Sequence, residues 1–227
     1  MNKLVVDKEE VYKIKNEVVD ICLNAENVTL EIEGDVFIDD VSSNEQENRN
    51  LTIVLKRGSQ LVYNKFSSVK KMNGKICVEI EENSKITFNH SILTQENSSL
   101  VFVSNILGNN NDCQIHIKAV TENKGRIKIE ATGSVKAKTK ENTLLENIRI
   151  LTLNEEENEI LPNLLVDSNE VSVNHNATIS SIQEEDLFYL TSKGISQKEA
   201  ITLLKKGFLI QPLQIEEPTR EKIENLL

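Results

Sequence analysis

Ile76-Cys77-Val78-Glu79-Ile80, Ile86-Thr87-Phe88 and Leu100-Val101-Phe102-Val103, separated by the polar corners Glu82-Asn83-Ser84 and Glu96-Asn97-Ser98-Ser99, decide the fold class of this chain. Each segment is rich in β-branched residues and alternates with period two, as strands with one buried face do. Upstream, Val28-Thr29-Leu30-Glu31-Ile32 and Leu51-Thr52-Ile53-Val54-Leu55 repeat the pattern. Downstream it continues through Cys113-Gln114-Ile115-His116-Ile117-Lys118, Arg126-Ile127-Lys128-Ile129-Glu130, Ile148-Arg149-Ile150-Leu151-Thr152-Leu153 and Val171-Ser172-Val173. From Leu51 onward strand centres recur every ~10–14 residues, the spacing of a sandwich, a barrel or a β-solenoid. The turns discriminate among these. Asn73-Gly74 is the one good hairpin signal, whereas the other connections are polar, rich in Asn and poor in Gly. Strands joined by recurring polar corners suit a parallel β-helix, in which coils stack and asparagines ladder. A sandwich remains open on pattern alone.

After Gln183 the period becomes helical. Glu184-Glu185-Asp186 places acidic residues in a first turn, and Leu187, Phe188 and Leu190 form an apolar face. Lys193-Gly194 reads as a helix stop, and Ser196-Gln197-Lys198-Glu199 as a capping box opening the next helix. That second helix carries Ala200, Ile201, Leu203, Leu204 and Phe208, with Gly207 near its end. A third begins near Pro218 and carries Ile223, Leu226 and Leu227. The expected organisation is a β-domain over residues 1–180 and a helical unit over 181–227. Three short helices bury too little surface alone. Their apolar stripes therefore pack on the β-domain, and any exposed remainder marks an interface.

Composition narrows the function classes. The 227 residues carry 36 acidic and 26 basic side chains, a net charge of −10, which argues against nucleic acid as a partner. Lys136, Lys138 and Lys140 are read as alternating on one side of a strand, too few to reverse that. Aromatics make up 4% with no Trp, against a carbohydrate cleft or a base-stacking platform. Cys22, Cys77 and Cys113 are far apart and form neither a disulfide framework nor a zinc motif. No apolar run approaches a membrane span and no leader-like segment opens the chain, so the expected location is the cytoplasm, with no membrane partner.

Catalytic signatures are missing: there is no nucleophile elbow, zincin helix, Walker loop or dinucleotide-binding loop. Glu81-Glu82 and Glu155-Glu156-Glu157 read as solvated loops. Asp39-Asp40 is the pair that a β-helix polysaccharide lyase or hydrolase would use. His90 and His116 read as ordinary surface or edge residues. His175, flanked by Asn174 and Asn176, faces opposite to both neighbours if its strand continues. With no second His, Cys or carboxylate at ligand spacing, its residue-level reading is a histidine hydrogen-bonded at a strand edge, set against a metal ligand or acid–base group.

The segment from Leu144 to Phe208 resembles the SufB/SufD family of iron–sulfur cluster assembly scaffold proteins. The resemblance rests on Pro162-Asn163-Leu164-Leu165-Val166, Asn174-His175-Asn176-Ala177-Thr178, Leu187-Phe188-Tyr189-Leu190, Ser192-Lys193-Gly194-Ile195, Glu199-Ala200 and Gly207-Phe208. Residues from Gly108 to Lys138 are similar more loosely. The resemblance implies a mainly β chain, a right-handed parallel β-helix with a small C-terminal α-helical domain. It implies a SufC-like ABC ATPase docked on that domain, with Leu187, Phe188, Leu190, Lys193, Gly194, Ile195, Glu199, Leu204 and Phe208 as contact candidates. It further implies a second scaffold subunit, SufB-like or the same chain, paired through the β-helix. His175 is then the candidate residue of the cluster-assembly site and a metal ligand there. No cofactor is held stably, and an iron–sulfur cluster passes through transiently. SufB carries a Cys where this chain has about Glu156, and a Glu where it has Asn176. Both departures point to a SufD-like short form without enzymatic activity. The competing expectations are a β-helix carbohydrate-active enzyme and a structural homo-oligomer with no cluster role.

Overall fold

The computed structural model describes residues 2–153 and 157–227. Fifteen strands precede three helices: β1 (Asn2–Val6), β2 (Val11–Lys15), β3 (Val18–Leu23), β4 (Asn27–Glu33), β5 (Asp35–Ser42), β6 (Gln46–Leu55), β7 (Gln60–Val69), β8 (Lys71–Ile80), β9 (Lys85–Thr94), β10 (Ser98–Ile106), β11 (Asp112–Thr121), β12 (Ile127–Val135), β13 (Asn142–Thr152), β14 (Glu159–Val166), β15 (Val171–Ser181), α1 (Glu184–Ser192), α2 (Gln197–Ile210) and α3 (Glu217–Glu224). Odd-numbered strands form one eight-stranded sheet in chain order and even-numbered strands form a seven-stranded one. Every pairing is parallel. Each coil thus contributes one strand to each sheet, which is a parallel β-helix. The ~10–14-residue spacing read from sequence is half a coil.

The two sheets face each other across one apolar core that includes Leu30, Ile53, Val78, Phe102, Ile117 and Ile148. Tyr63 and Phe88 stack at 5.1 Å within it, and Phe88 meets Phe102 at the same distance. The Asn-rich corners have a conformational cause. Asn16, Asn83 and Asn110 all adopt left-handed φ of 48–59°, as does Gly58 at 73°. Asn and Gly tolerate that region best. Neighbouring corners are tied by side chains. The Ser59 N–H donates to Ser84 Oγ, the Ser84 N–H to Asn111 Oδ1 and the Asn111 N–H to Asn142 Oδ1. Two sequence expectations fail. Asn73-Gly74 makes no hairpin: it lies inside β8, paired with Asn48 and Arg49 on one side and Ser99 and Leu100 on the other. The Lys136–Lys140 segment is the turn after β12, not a strand.

The helical unit has its own core. Phe66, Leu93, Val120 and Leu151 point outward from β7, β9, β11 and β13, and Leu209, Leu213 and Ile223 cover them. Polar ties fix the attachment: Thr219 Oγ1 donates to Asp39 Oδ2 (2.7 Å), Ser91 Oγ to the Leu209 carbonyl (2.6 Å), and Lys205 meets Glu122 (2.6 Å). Asn64 accepts from the Gln214 N–H and donates to the Gln214 carbonyl, both at 3.0 Å. α1 is different, because none of its residues is fully buried and its main packing is on α2. The helix signals hold. Gly194 (φ 86°) follows the α1 cap, with Gly194 N–H bonded to the Thr191 carbonyl and Ile195 N–H to the Leu190 carbonyl, a Schellman ending. Ser196 and Glu199 form the capping box. Among the described residues, no helix is long and apolar enough to cross a membrane.

Candidate functional site at the open end of the β-helix

Among the described residues no strand pairs beyond the last coil, so β14 and β15 are edge strands. β15 pairs with β13 in a register that sets His175 opposite Glu146. The inward phase of β13 runs Leu144, Glu146, Ile148, so the Glu146 carboxylate is fully buried between the sheets. Its Oε1 accepts from Ser104 Oγ at 2.8 Å. Gly133, across on β12, makes the room. A Cβ there would come 2.6 Å from Leu144 Cδ2 and 3.1 Å from Glu146 Oε1.

His175 points inward at the same level, its side chain 8% exposed, with Nδ1 3.2 Å from Glu146 Oε2. The two groups are close but not aligned for a hydrogen bond. Glu146 Oε2 and both His175 ring nitrogens are buried without a hydrogen-bond partner. Burial lowers the His175 pKa below that of an ordinary histidine. Burial raises that of Glu146, and the Ser104 hydroxyl offsets part of this. Neutral imidazole beside a protonated carboxyl contains as many protons as imidazolium beside carboxylate, so the pair titrates as a unit. Unsatisfied buried polar atoms are costly, of order 1–3 kcal/mol each, and concentrate at functional sites. Cys113, also inward, has its thiol pushed up first by burial and then by Glu146 and Asp112, and so stays protonated. Among the described residues no group of three His, Cys, Asp or Glu is placed to hold a metal ion. All three cysteines are free thiols.

The end itself is apolar. Leu161, Leu164, Leu165, Val166 and Ile179 are exposed, Leu165 at 61%. Within β14 and β15 only Glu159 and His175 can carry charge. A flat edge of that kind lacks the charges that deter strand pairing.

Comparison with known proteins gives this architecture a family. Residues 36–208 match the family described as SUF system FeS cluster assembly, SufBD core domain, and that span exceeds half of the chain. The chain belongs to the SufBD family. Iron-sulfur cluster assembly SufBD family proteins of Staphylococcus aureus (strains USA300 and NCTC 8325 / PS 47) and Staphylococcus haemolyticus (strain JCSC1435) are 34% identical over 110 residues. That alignment takes in 47% of this chain and 23% of each relative, so the chain spans well under two thirds of their length.

The other sequence-derived candidates of this SufBD chain lie on the helical unit. Phe188 is 74% exposed, and Tyr189 (61%) on α1 and Leu203 (50%) on α2 are further exposed apolar residues. Leu187, Leu190, Ile195 and Leu204 are half-buried, and Lys193, Gly194 and Glu199 are exposed. Gly194 and Glu199 also serve the helix ends. Phe208 faces the β-helix, beneath Lys118 at 4.5 Å and Arg149 at 5.6 Å. Glu155 and Glu156 lie outside the described residues; Glu157 is exposed and bonds Arg126 at 3.2 Å.

Two expectations need correction. His90 is no surface residue: it is fully buried inside the β-helix, Nε2 3.1 Å from Ser67 Oγ, and burial holds it neutral with a pKa of about 3. Asp39 and Asp40 do not act together, because alternation sends them to opposite faces of β5. Asp39 ties down Thr219, while Asp40 turns inward to Lys65 at 2.9 Å and Tyr63 at 3.1 Å. Sequence reasoning missed Glu146, Lys65, Asp40, Glu47 and Arg49 as interior groups. The signal was present: each is a charged residue in the apolar phase of an alternating segment, as Glu146 is between Leu144 and Ile148.

Proposed function

We propose that this chain is a non-enzymatic scaffold subunit of a SUF-type iron–sulfur cluster assembly complex in the cytoplasm. In this reading β14 and β15 pair with a second scaffold subunit, SufB-like or another copy of the chain. A SufC-like ABC ATPase docks on α1 and the start of α2. The cluster is cargo, assembled transiently near His175, and no cofactor is resident. The observation that carries the reading is the open end, where an apolar, nearly uncharged strand edge lies directly over the under-satisfied His175–Glu146 pair. A partner on that edge would complete the backbone hydrogen bonds and bring its own ligands to the pair.

The helical unit supports the other half. Its α2–α3 part is fastened to the β-helix by a second core and by polar ties, whereas α1 stands off with Phe188 and Tyr189 exposed. Movement imposed on the exposed part by ATP hydrolysis in a partner would pass through that anchor into stiff, fully hydrogen-bonded strands. Co-expression with the ATPase and second scaffold subunit, followed by size-exclusion chromatography with light scattering, tests this. Phe188→Asp with Leu203→Asp should lose the ATPase alone, and Leu165→Asp with Ile179→Asp should lose subunit pairing alone. A wild-type chain that remains a monomer among both partners would overturn the proposal.

A further inference from the structure

A second site lies away from the open end, where the turn after α2 crosses the outer face of β9, β11 and β13. There a cleft of about 300 Å³ is lined by Asn89, His116, Lys118, Arg149, Gln211 and Gln214, among others. We propose that this cleft binds a small phosphate-bearing molecule, bridging the β-helix to the helical unit.

The charges point to an anion. Lys118 is 6% exposed, and its one hydrogen bond among the described residues is to Gln211 Oε1. The other buried lysines have carboxylate partners: Lys65 meets Asp40 and Glu47 at 2.9 Å, and Lys205 meets Glu122 at 2.6 Å. Among the described residues neither Lys118 nor Arg149 has one, in a chain with ten more acidic than basic side chains. Both cations are drawn together over the Phe208 ring. Burial, and then repulsion from Arg149, pushes Lys118 down to about 8, as expected of two neighbouring cations with no carboxylate partner among the described residues. A doubly charged phosphate group offers the matching charge. Arg149 would meet its oxygens through a planar fork and Lys118 as a point charge.

A neutral buried atom points the same way. Asn89 is fully buried and lines the cleft. Its Nδ2 donates to Asn64 Oδ1 at 3.0 Å, and Asn64 is itself held by Gln214, which fixes which end of the Asn89 amide turns away. That leaves Asn89 Oδ1 buried without a donor. A ligand hydroxyl, or the proton of a monoprotonated phosphate, would supply one. The cleft is larger than a phosphate ion alone, so an organic carrier bearing the phosphate fits.

The test is a titration of the full chain with inorganic phosphate and with glycerol 3-phosphate, followed by isothermal titration calorimetry at constant ionic strength. Citrate and chloride serve as comparators. Saturable binding of both phosphates is expected, weakened about tenfold in Arg149→Gln, which changes an exposed side chain, and further in Lys118→Met. Melting curves of both variants without ligand establish that they are folded. Binding of citrate but not of either phosphate would overturn the assignment. So would the absence of saturation, or equal affinity in wild type and Arg149→Gln.

Discussion

Two polar clusters sit inside the same β-helix and differ in how their charges are paired, although each has buried atoms without partners, Arg49 Nε and the neighbouring His90 Nδ1 in the lower one. The lower one, in the coils of β5 to β9, joins Asp40, Glu47, Arg49 and Lys65. Lys65 meets both acids at 2.9 Å, Arg49 meets Glu47 at 3.3 Å, and Ser42 donates to Glu47 at 2.7 Å. The two positive and two negative charges balance, and the void they share with His90 is only about 10 Å³. The upper cluster is Glu146 and His175 with a single good hydrogen bond, from Ser104, and three buried atoms without partners. The lower cluster is an internal brace that fixes coil register. In the upper one neither His175 ring nitrogen nor Glu146 Oε2 has a hydrogen-bond partner, and the pair lies beneath the edge formed by β14 and β15.

The contrast can be broken most forcefully at Lys65. Replacing it with Met leaves buried Asp40 without a cation and Glu47 with Arg49 alone, and should destabilise the fold by about 3–5 kcal/mol in urea unfolding. The next effect is acid sensitivity. Its Lys65 and Arg49 partners outweigh burial and hold Glu47 at about 2, below the ordinary 4.5. Its stabilisation is therefore complete above pH 4.5 and lost as pH falls toward 2. His90, neutral down to about pH 3, acts in the same sense from pH 6.5 downward, because the unfolded chain takes up the proton first. Glu47→Gln should flatten the acid limb of a stability–pH curve and cost roughly 2–3 kcal/mol at neutral pH.

The same substitution in the upper cluster should act oppositely. Burial raises the Glu146 pKa, so its contribution declines as pH rises past the usual glutamate range. Glu146→Gln keeps the Ser104 bond and should be neutral or stabilising, within about 1 kcal/mol, at pH 7. A loss as large as that of Glu47→Gln would show the upper pair to be a second brace. Smallest of all, Phe188→Asp should cost little stability, within about 0.5 kcal/mol, because that side chain is exposed and α1 has no fully buried residue.

Much of this was legible in the sequence. Alternation located β4, β6, β8 to β13 and β15 but not β1 to β3, β5, β7 or β14, the Asn-rich corners suited coils without excluding a sandwich, and the glycine-stop and capping-box signals bounded α1 and α2. The Asn73-Gly74 dipeptide misled because a local turn preference gives way when both residues are paired on two sides within β8. The placement of His175 opposite Glu146 was not legible at all. It depends on the offset between successive coils, which the lengths of the corners set and no local pattern encodes. Charged residues in the apolar phase were visible, but only stacking shows which of them meet.

The central claim is that the open end holds a site and not a brace. It is tested most directly by reconstituting the proposed complex, this chain with a SufC-like ATPase and a second scaffold subunit, with ferrous iron and sulfide, and measuring cluster yield. The account predicts that His175→Ala and Glu146→Gln each lower the yield severalfold in intact complexes, with chain stability preserved in Glu146→Gln. Yields equal to wild type in both variants would contradict it.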